Sequence, residues 1–252
     1  MEERLEEVGL DVLAFGAHPD DVELTCAGTL IKLGRRGYRT GVVALTAGEL
    51  GTRGTAEIRA RESAEAARIM GVSERQTLGL PDGDLNVTPE RKHLVIEVIR
   101  AFRPRIVLAP YWEDRHPDHA NGGRLVLESC FFAGLKKIDT GQEAFRPNRV
   151  LFYPSRYEFR PSFIVDISDS HEQKLEAIRA YRSQFHRAGE DVRDEETTNI
   201  SRPGFLDAIV ARARQYGSYI GVDFGEPFLV REPLRLDDPV AFFGPEYLES
   251  FL

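Results

Sequence analysis

Two short polar clusters concentrate the side chains that could do chemistry. In VLAFGAHPDDVE, residues 12–23, a run of apolar and small residues gives way to His18, Asp20 and Asp21 around Pro19. In YWEDRHPDH, residues 111–119, a second apolar run ends in His116, Asp118 and His119. Two imidazoles and one carboxylate are enough to hold zinc while leaving a coordination position for water. Ferrous iron (Fe2+) would accept the same donors. The remaining carboxylates and imidazole then supply a base for the water proton, an acid for a leaving amine and groups that orient both. Pro19 fixes its own φ and biases the residue before it away from helix, so the polar side chains leave one rigid bend in different directions. A plainer reading stands beside this one. An aspartate ahead of a helix starting near Val22 can simply cap free amides, and His116 and Asp118 alone could form a loop salt bridge or a cap.

These clusters need elements to position them. The apolar run before His18 reads as a buried strand, and 41–46, 76–80, 105–110, 150–153 and 163–167 read as further strands. Helical spacing marks 24–36, closed by Gly37, and 56–70, ending at Gly71. Thr88 caps a helix with Pro89 in its first turn, running through Ile99. Further helices are expected over 120–135, 172–185 and 204–219. The polar stretch 187–201 reads as an exposed or mobile loop, and 225–236 as irregular chain or an edge strand.

Strand and helix in this alternation predict an α/β fold, a doubly wound, Rossmann-like, mostly parallel sheet with helices on both faces. The chain reads as one domain over 1–252. With strand order 3-2-1-4-5, the first and fourth strands lie side by side where the winding reverses, and ligands bind beyond their carboxyl ends. Both polar clusters terminate those two strands, which brings them together across about a hundred residues. No GxGxxG or GxxxxGK[ST] follows the first strand, so a dinucleotide or P-loop reading loses its main support.

A net charge of −8 over 252 residues argues against a general nucleic-acid or anionic-membrane binder. Cys26 and Cys130 sit far apart in apolar contexts and read as buried thiols, which fits a reducing compartment. The opening MEERLEEVGL is acidic where a signal peptide is basic, and no long apolar run follows, so a cytoplasmic location is expected.

AHPDDVE at 17–23 and HPDH at 116–119 resemble the paired motifs of the LmbE-like, or PIG-L type, N-acetylglucosamine deacetylases. GTAEIRARE at 54–62, APYWEDRHPDHAN at 109–121, PNRV at 147–150 and AYRSQF at 180–185 are similar to the bacillithiol-biosynthesis branch, with a weaker match beyond Arg187. The resemblance implies zinc held by His18, Asp21 and His119, with Asp20 as general base. His116 would stabilise the oxyanion or protonate the amine, and Asp118 would orient it. Arg59 and Arg149 would hold the substrate, although from the residues alone each reads as a solvated surface arginine. The implied activity is removal of acetate from an N-acetylglucosaminyl compound, first the malate glycoside, with N-acetyl chitooligosaccharides or a thiol-conjugate amide as rivals. A homo-oligomer, trimer or hexamer, is also implied. A non-catalytic sugar- or nucleotide-binding module is the reading from a different class.

Overall fold

Strand β1 (Val12–Gly16) is followed by helices α1 (Asp21–Thr25) and α2 (Ala27–Arg35), β2 (Thr40–Thr46), α3 (Ala56–Met70), β3 (Glu74–Leu80), α4 (Pro89–Phe102), β4 (Ile106–Pro110), α5 (Pro117–Ala133) and β5 (Arg149–Tyr153). Beyond these come β6 (Phe163–Asp166), α6 (His171–Arg179), α7 (Phe205–Ser218), β7 (Gly225–Phe228) and the short α8 (Pro239–Phe243). The structure, a computed structural model, describes residues 9–185 and 198–244.

The first five strands form a parallel sheet in the order β3-β2-β1-β4-β5, as the alternation predicts. Every residue of β1 and β2 is buried. Val12 and Ala14 face one core, where Val22, Leu30, Ala66 and Ile178 pack from α1, α2, α3 and α6. Leu13 and Phe15 face the other, against Ile96 and Ile99 of α4 and Leu125 and Val126 of α5. Helices on both faces explain why β1 reads as an unbroken apolar run. Cys26 and Cys130 are free buried thiols, one in each core. No helix among the described residues is long and apolar enough to cross a membrane.

Several elements depart from the sequence reading. The helix expected over 24–36 breaks at Cys26 into α1 and α2. A carboxylate from β7 makes the restart affordable: Glu226 accepts from Gly28 N at 3.0 Å, Thr29 N at 2.7 Å and Thr29 Oγ1 at 2.6 Å, satisfying first-turn amides. α5 starts at Pro117 instead of residue 120, with proline at the first helical position. β6 does not extend the main sheet. Its link from Tyr153 is too short for a parallel crossover, and it pairs antiparallel with β7. α6 ends at Arg179, so 180–185 is a run of turns and not its last turns. Of the polar stretch 187–201, residues 187–197 lie outside the described residues. Its last four are not an exposed loop: Thr198 and Ser201 hydrogen-bond each other in a tight turn, and Ser201 is buried.

Candidate active site

The bend after β1 and the first turn of α5 meet beyond the carboxyl ends of β1 and β4. Gly16 permits the bend, since a Cβ there would lie 2.9 Å from His18 O. Asp21 opens α1, and its Oδ2 accepts from His18 N at 2.8 Å, closing the turn on itself. Asp20 occupies the N-cap position, but its side chain makes no capping hydrogen bond. The simple cap reading of that aspartate therefore fails.

His18, Asp21 and His119 form one donor set, with ligand atoms all within 4.8 Å of one another. His119 Nε2 lies 3.2 Å from Asp21 Oδ1, and His18 Nδ1 lies 3.5 Å from Asp21 Oδ2. The opposite nitrogen of each ring is already held by carboxylate. His119 Nδ1 is 3.0 Å from Asp114 Oδ1, while His18 Nε2 is 3.2 Å from Asp82 Oδ1 and 3.5 Å from Asp118 Oδ2. Carboxylates behind both rings fix their tautomers and orientation, as in metal sites.

Electrostatics point the same way. Burial disfavours a charged His18, yet hydrogen bonds to Asp118, Asp21 and Asp82 lift its pKa well above the usual histidine value. Burial likewise opposes charge on His119, and Asp21 and Asp114 still raise it to about 9. The carboxylates thus demand positive charge at this spot, and the donor set fits a divalent cation. A second set, His18, His116 and Asp118, is equally tight. It fits less well, because Asp118 spends both oxygens on backbone amides, Gly83 N at 2.7 Å and Leu85 N at 3.2 Å.

Asp20 stands beside this set, 4% exposed. One oxygen accepts from Arg59 Nη2 at 3.1 Å, and the other has no hydrogen-bond partner among the described residues. Arg59 is itself buried and also donates from Nη1 to Gly48 O at 3.0 Å. Gly48 has φ of 70°, and a Cβ there would sit 1.9 Å from Arg59 Nη1, so glycine is what lets the guanidinium in. His116 caps α5: its Nδ1 accepts from Asp118 N at 3.2 Å, which leaves the proton of the neutral ring on Nε2. Burial, then the charges of His18 and His119, lower its pKa and favour that neutral form.

Asp118, expected to orient His116, meets that ring with its backbone amide, while its carboxylate reaches His18 and the 83–85 turn. One expectation needs correcting. Arg149 opens β5 in register with Ile106, at the amino ends of the strands, and donates to Asn148 O. The site lies at the carboxyl ends, so Arg149 is placed away from it.

Asp82 and Asp114 are the residues that sequence reasoning missed. Asp82 links His18 to the 48–50 loop by accepting from Leu50 N at 2.9 Å. Asp114 accepts from His119, from His116 N at 2.9 Å and from Arg156 N at 2.8 Å. Both belong to polar runs that follow a strand, PDGDLN and YWEDRHPDH, and that position was the available signal.

A cavity of about 400 Å³ opens over these groups, within the range of small-molecule sites. Arg115, Arg156 and Arg212 line it as well. None forms an ion pair with a carboxylate among the described residues; Arg212 donates to Ser155 O at 2.5 Å, and Arg156 lies over the Phe205 ring at 5.8 Å. Partial desolvation, then the like charges of Arg115 and Arg212, hold Arg156 below the usual arginine range.

Residues 13–130 match the family model described as PIG-L, GlcNAc-PI de-N-acetylase. The chain belongs to this PIG-L, or LmbE-like, family of de-N-acetylases, enzymes that hydrolyse an amide. Diacetylchitobiose deacetylase of Thermococcus kodakarensis is 36% identical over 189 residues, 69% of this chain and 70% of that protein. A probable N-acetyl-alpha-D-glucosaminyl L-malate deacetylase 2 of Bacillus anthracis is 29% identical over 194 residues, 69% of this chain and 81% of that protein. Among solved structures, a conserved protein of Thermus thermophilus superimposes with a TM-score of 0.82 at 42% identity, covering 91% of this chain and 98% of that one.

Proposed function

We propose that the chain is a metal-dependent hydrolase that removes acetate from the amine of an N-acetylglucosaminyl compound bearing an acidic aglycone, with the malate glycoside as the leading substrate. One observation carries the chemistry: the His18, Asp21 and His119 donor set, the half-free carboxylate of Asp20 and the neutral ring of His116 all face one cavity. Family membership sets aside the non-catalytic binding module.

His18, Asp21 and His119 would hold the cation, zinc first and Fe2+ with the same donors. When bound, it supplies Lewis acidity that polarises an amide carbonyl and makes water more acidic. Asp20 takes the proton of the attacking water on its free oxygen, while Arg59 holds the other oxygen. His116 presents Nε2–H to the carbonyl oxygen as negative charge develops there, and the proton that Asp20 has taken from water passes to the departing amine nitrogen as its bond to the carbonyl carbon breaks. The products are acetate and the free amino sugar. Asp114 and Asp82 steady the two imidazoles.

The acidic aglycone is supported by Arg115, Arg156 and Arg212, three guanidinium groups at the cavity without carboxylate partners among the described residues. Guanidinium forks suit carboxylates, and a neutral chitooligosaccharide would leave this charge unanswered. Acetate release measured on α-linked N-acetylglucosaminyl malate, N,N'-diacetylchitobiose and N-acetylglucosamine tests both levels. The malate glycoside is expected to have the highest kcat/KM, and Arg156→Gln to lower that value about tenfold more than the value for diacetylchitobiose. Equal losses would refute the acidic aglycone and leave deacetylation standing; no acetate from any of the three would refute the function.

A further inference from the structure

Two features singled out in the sequence have no part in the chemistry above: Glu23, which ends AHPDDVE, and the AYRSQF run at 180–185. The structure joins them behind the catalytic bend. Tyr181 donates its hydroxyl to Pro19 O and lies 3.0 Å from Glu23 Oε1. Arg75 reaches from β3, donating from Nη1 to Glu23 Oε1 at 2.7 Å and from Nη2 to both Tyr181 Oη, at 2.9 Å, and Pro19 O. Ser183, two residues on, donates from N and Oγ to Glu62 at 2.7 Å each, and Gln184 donates to Arg53 O at 2.6 Å. The run is therefore fixed at both ends.

Pro19 O belongs to the peptide whose nitrogen is that of Asp20. Two donors on this one carbonyl fix the plane of the peptide, and with it the direction in which the Asp20 side chain leaves the backbone. As a source of stability the arrangement is poor. Glu23 and Tyr181 are fully buried, burial pushes the Glu23 carboxyl up, and Glu23 Oε2 and Arg75 Nε have no partner among the described residues. Well-packed apolar residues of similar volume would serve stability as well or better, so what the network provides is geometry.

We propose that Tyr181 and Arg75, anchored on Glu23, are positioning residues that aim Asp20 at the cavity, an inference that rests on the reading of Asp20 as general base. Tyr181→Phe keeps the buried ring and removes the hydroxyl. It is expected to retain metal and KM and to lower kcat about 10- to 100-fold, the scale of a small misplacement of a reacting group. Placed in an Asp20→Asn background, it is expected to lower kcat no further, because the group it positions has already lost its function. A residue that only supports the fold would lower the melting temperature with kcat unchanged, or multiply with Asp20→Asn; either result overturns the proposal, as does loss of metal from Tyr181→Phe. Should Tyr181→Phe fail to fold, Arg75→Lys, which keeps the charge against Glu23 and gives up the fork, is measured in the same two backgrounds with the same criteria. Normal turnover of Asp20→Asn alone would instead strike the general-base reading, so the two failures are separable.

Discussion

Replacing Asp20 by asparagine separates the proposed base from everything around it. The amide keeps the carboxylate's size, and its oxygen can still accept from Arg59 Nη2, now 3.1 Å from Asp20 Oδ1. What disappears is the basic oxygen facing the cavity. A positioned general base is worth about 10²–10⁴ in rate, so kcat is expected to fall by that factor, roughly 3–5 kcal/mol of barrier. The metal is expected to stay, since His18, Asp21 and His119 are untouched. Stability should fall as well. Arg59 would lose its buried counter-charge while keeping Gly48 O at 3.0 Å, a cost of about 1–3 kcal/mol when a hydrogen bond survives, or roughly 2–12 °C in melting temperature at about 2–4 °C per kcal/mol. Metal stoichiometry, acetate release and a thermal melt on one preparation read all three effects. Normal turnover with full metal, or a protein that has lost its metal, would refute the assignment; Asp21→Asn is the variant expected to weaken metal binding.

Gly48→Ala places a methyl group 1.9 Å from Arg59 Nη1 and is expected to break the Asp20 contact, lowering kcat and stability together. Gly71→Ala shares the positive φ but has open space around it among the described residues, so it is expected to show only the backbone strain of about 1 kcal/mol, with kcat unchanged. His171 is buried against Phe224 with neither ring nitrogen bonded among the described residues, and burial followed by the Lys174 charge pushes it down to about 4. Its folded pKa lies below the unfolded value near 6.5, so the unfolded chain takes up the proton first and stability is lost as pH falls from 6.5 towards 4. The loss is about 2 kcal/mol by pH 5, and His171→Phe is expected to reduce the drop in melting temperature between pH 7.5 and 5; an unchanged drop would refute this.

The sheet was legible because β1 and β4 are apolar runs that end abruptly in polar clusters, and winding rules make such strands neighbours. That adjacency carried the donor set with it. Less legible were features fixed by contacts remote in sequence. The break at Cys26 depends on Glu226, and the path of Arg59 into the site depends on the missing side chain at Gly48. Nothing local to either residue announces this. Arg149 was misplaced for an avoidable reason: a residue that opens a parallel strand lies at the amino end of the sheet, opposite the ligand crevice. Asp114 was within the quoted cluster, but its hold on His119 becomes visible only when α5 is seen to begin at Pro117 and turn that imidazole back over the 111–116 loop.

The central claim, that His18, Asp21 and His119 hold the metal on which deacetylation depends, is tested most directly by following acetate release against metal content in one chelator titration of the native chain and His119→Ala. Native protein is expected to carry about one metal ion per chain, as a catalytic site of this kind holds, to lose activity in proportion as the ion is removed and to regain it with added zinc, while His119→Ala shows neither metal nor activity. Acetate release that persists after the metal is gone, or full occupancy in His119→Ala, would contradict it.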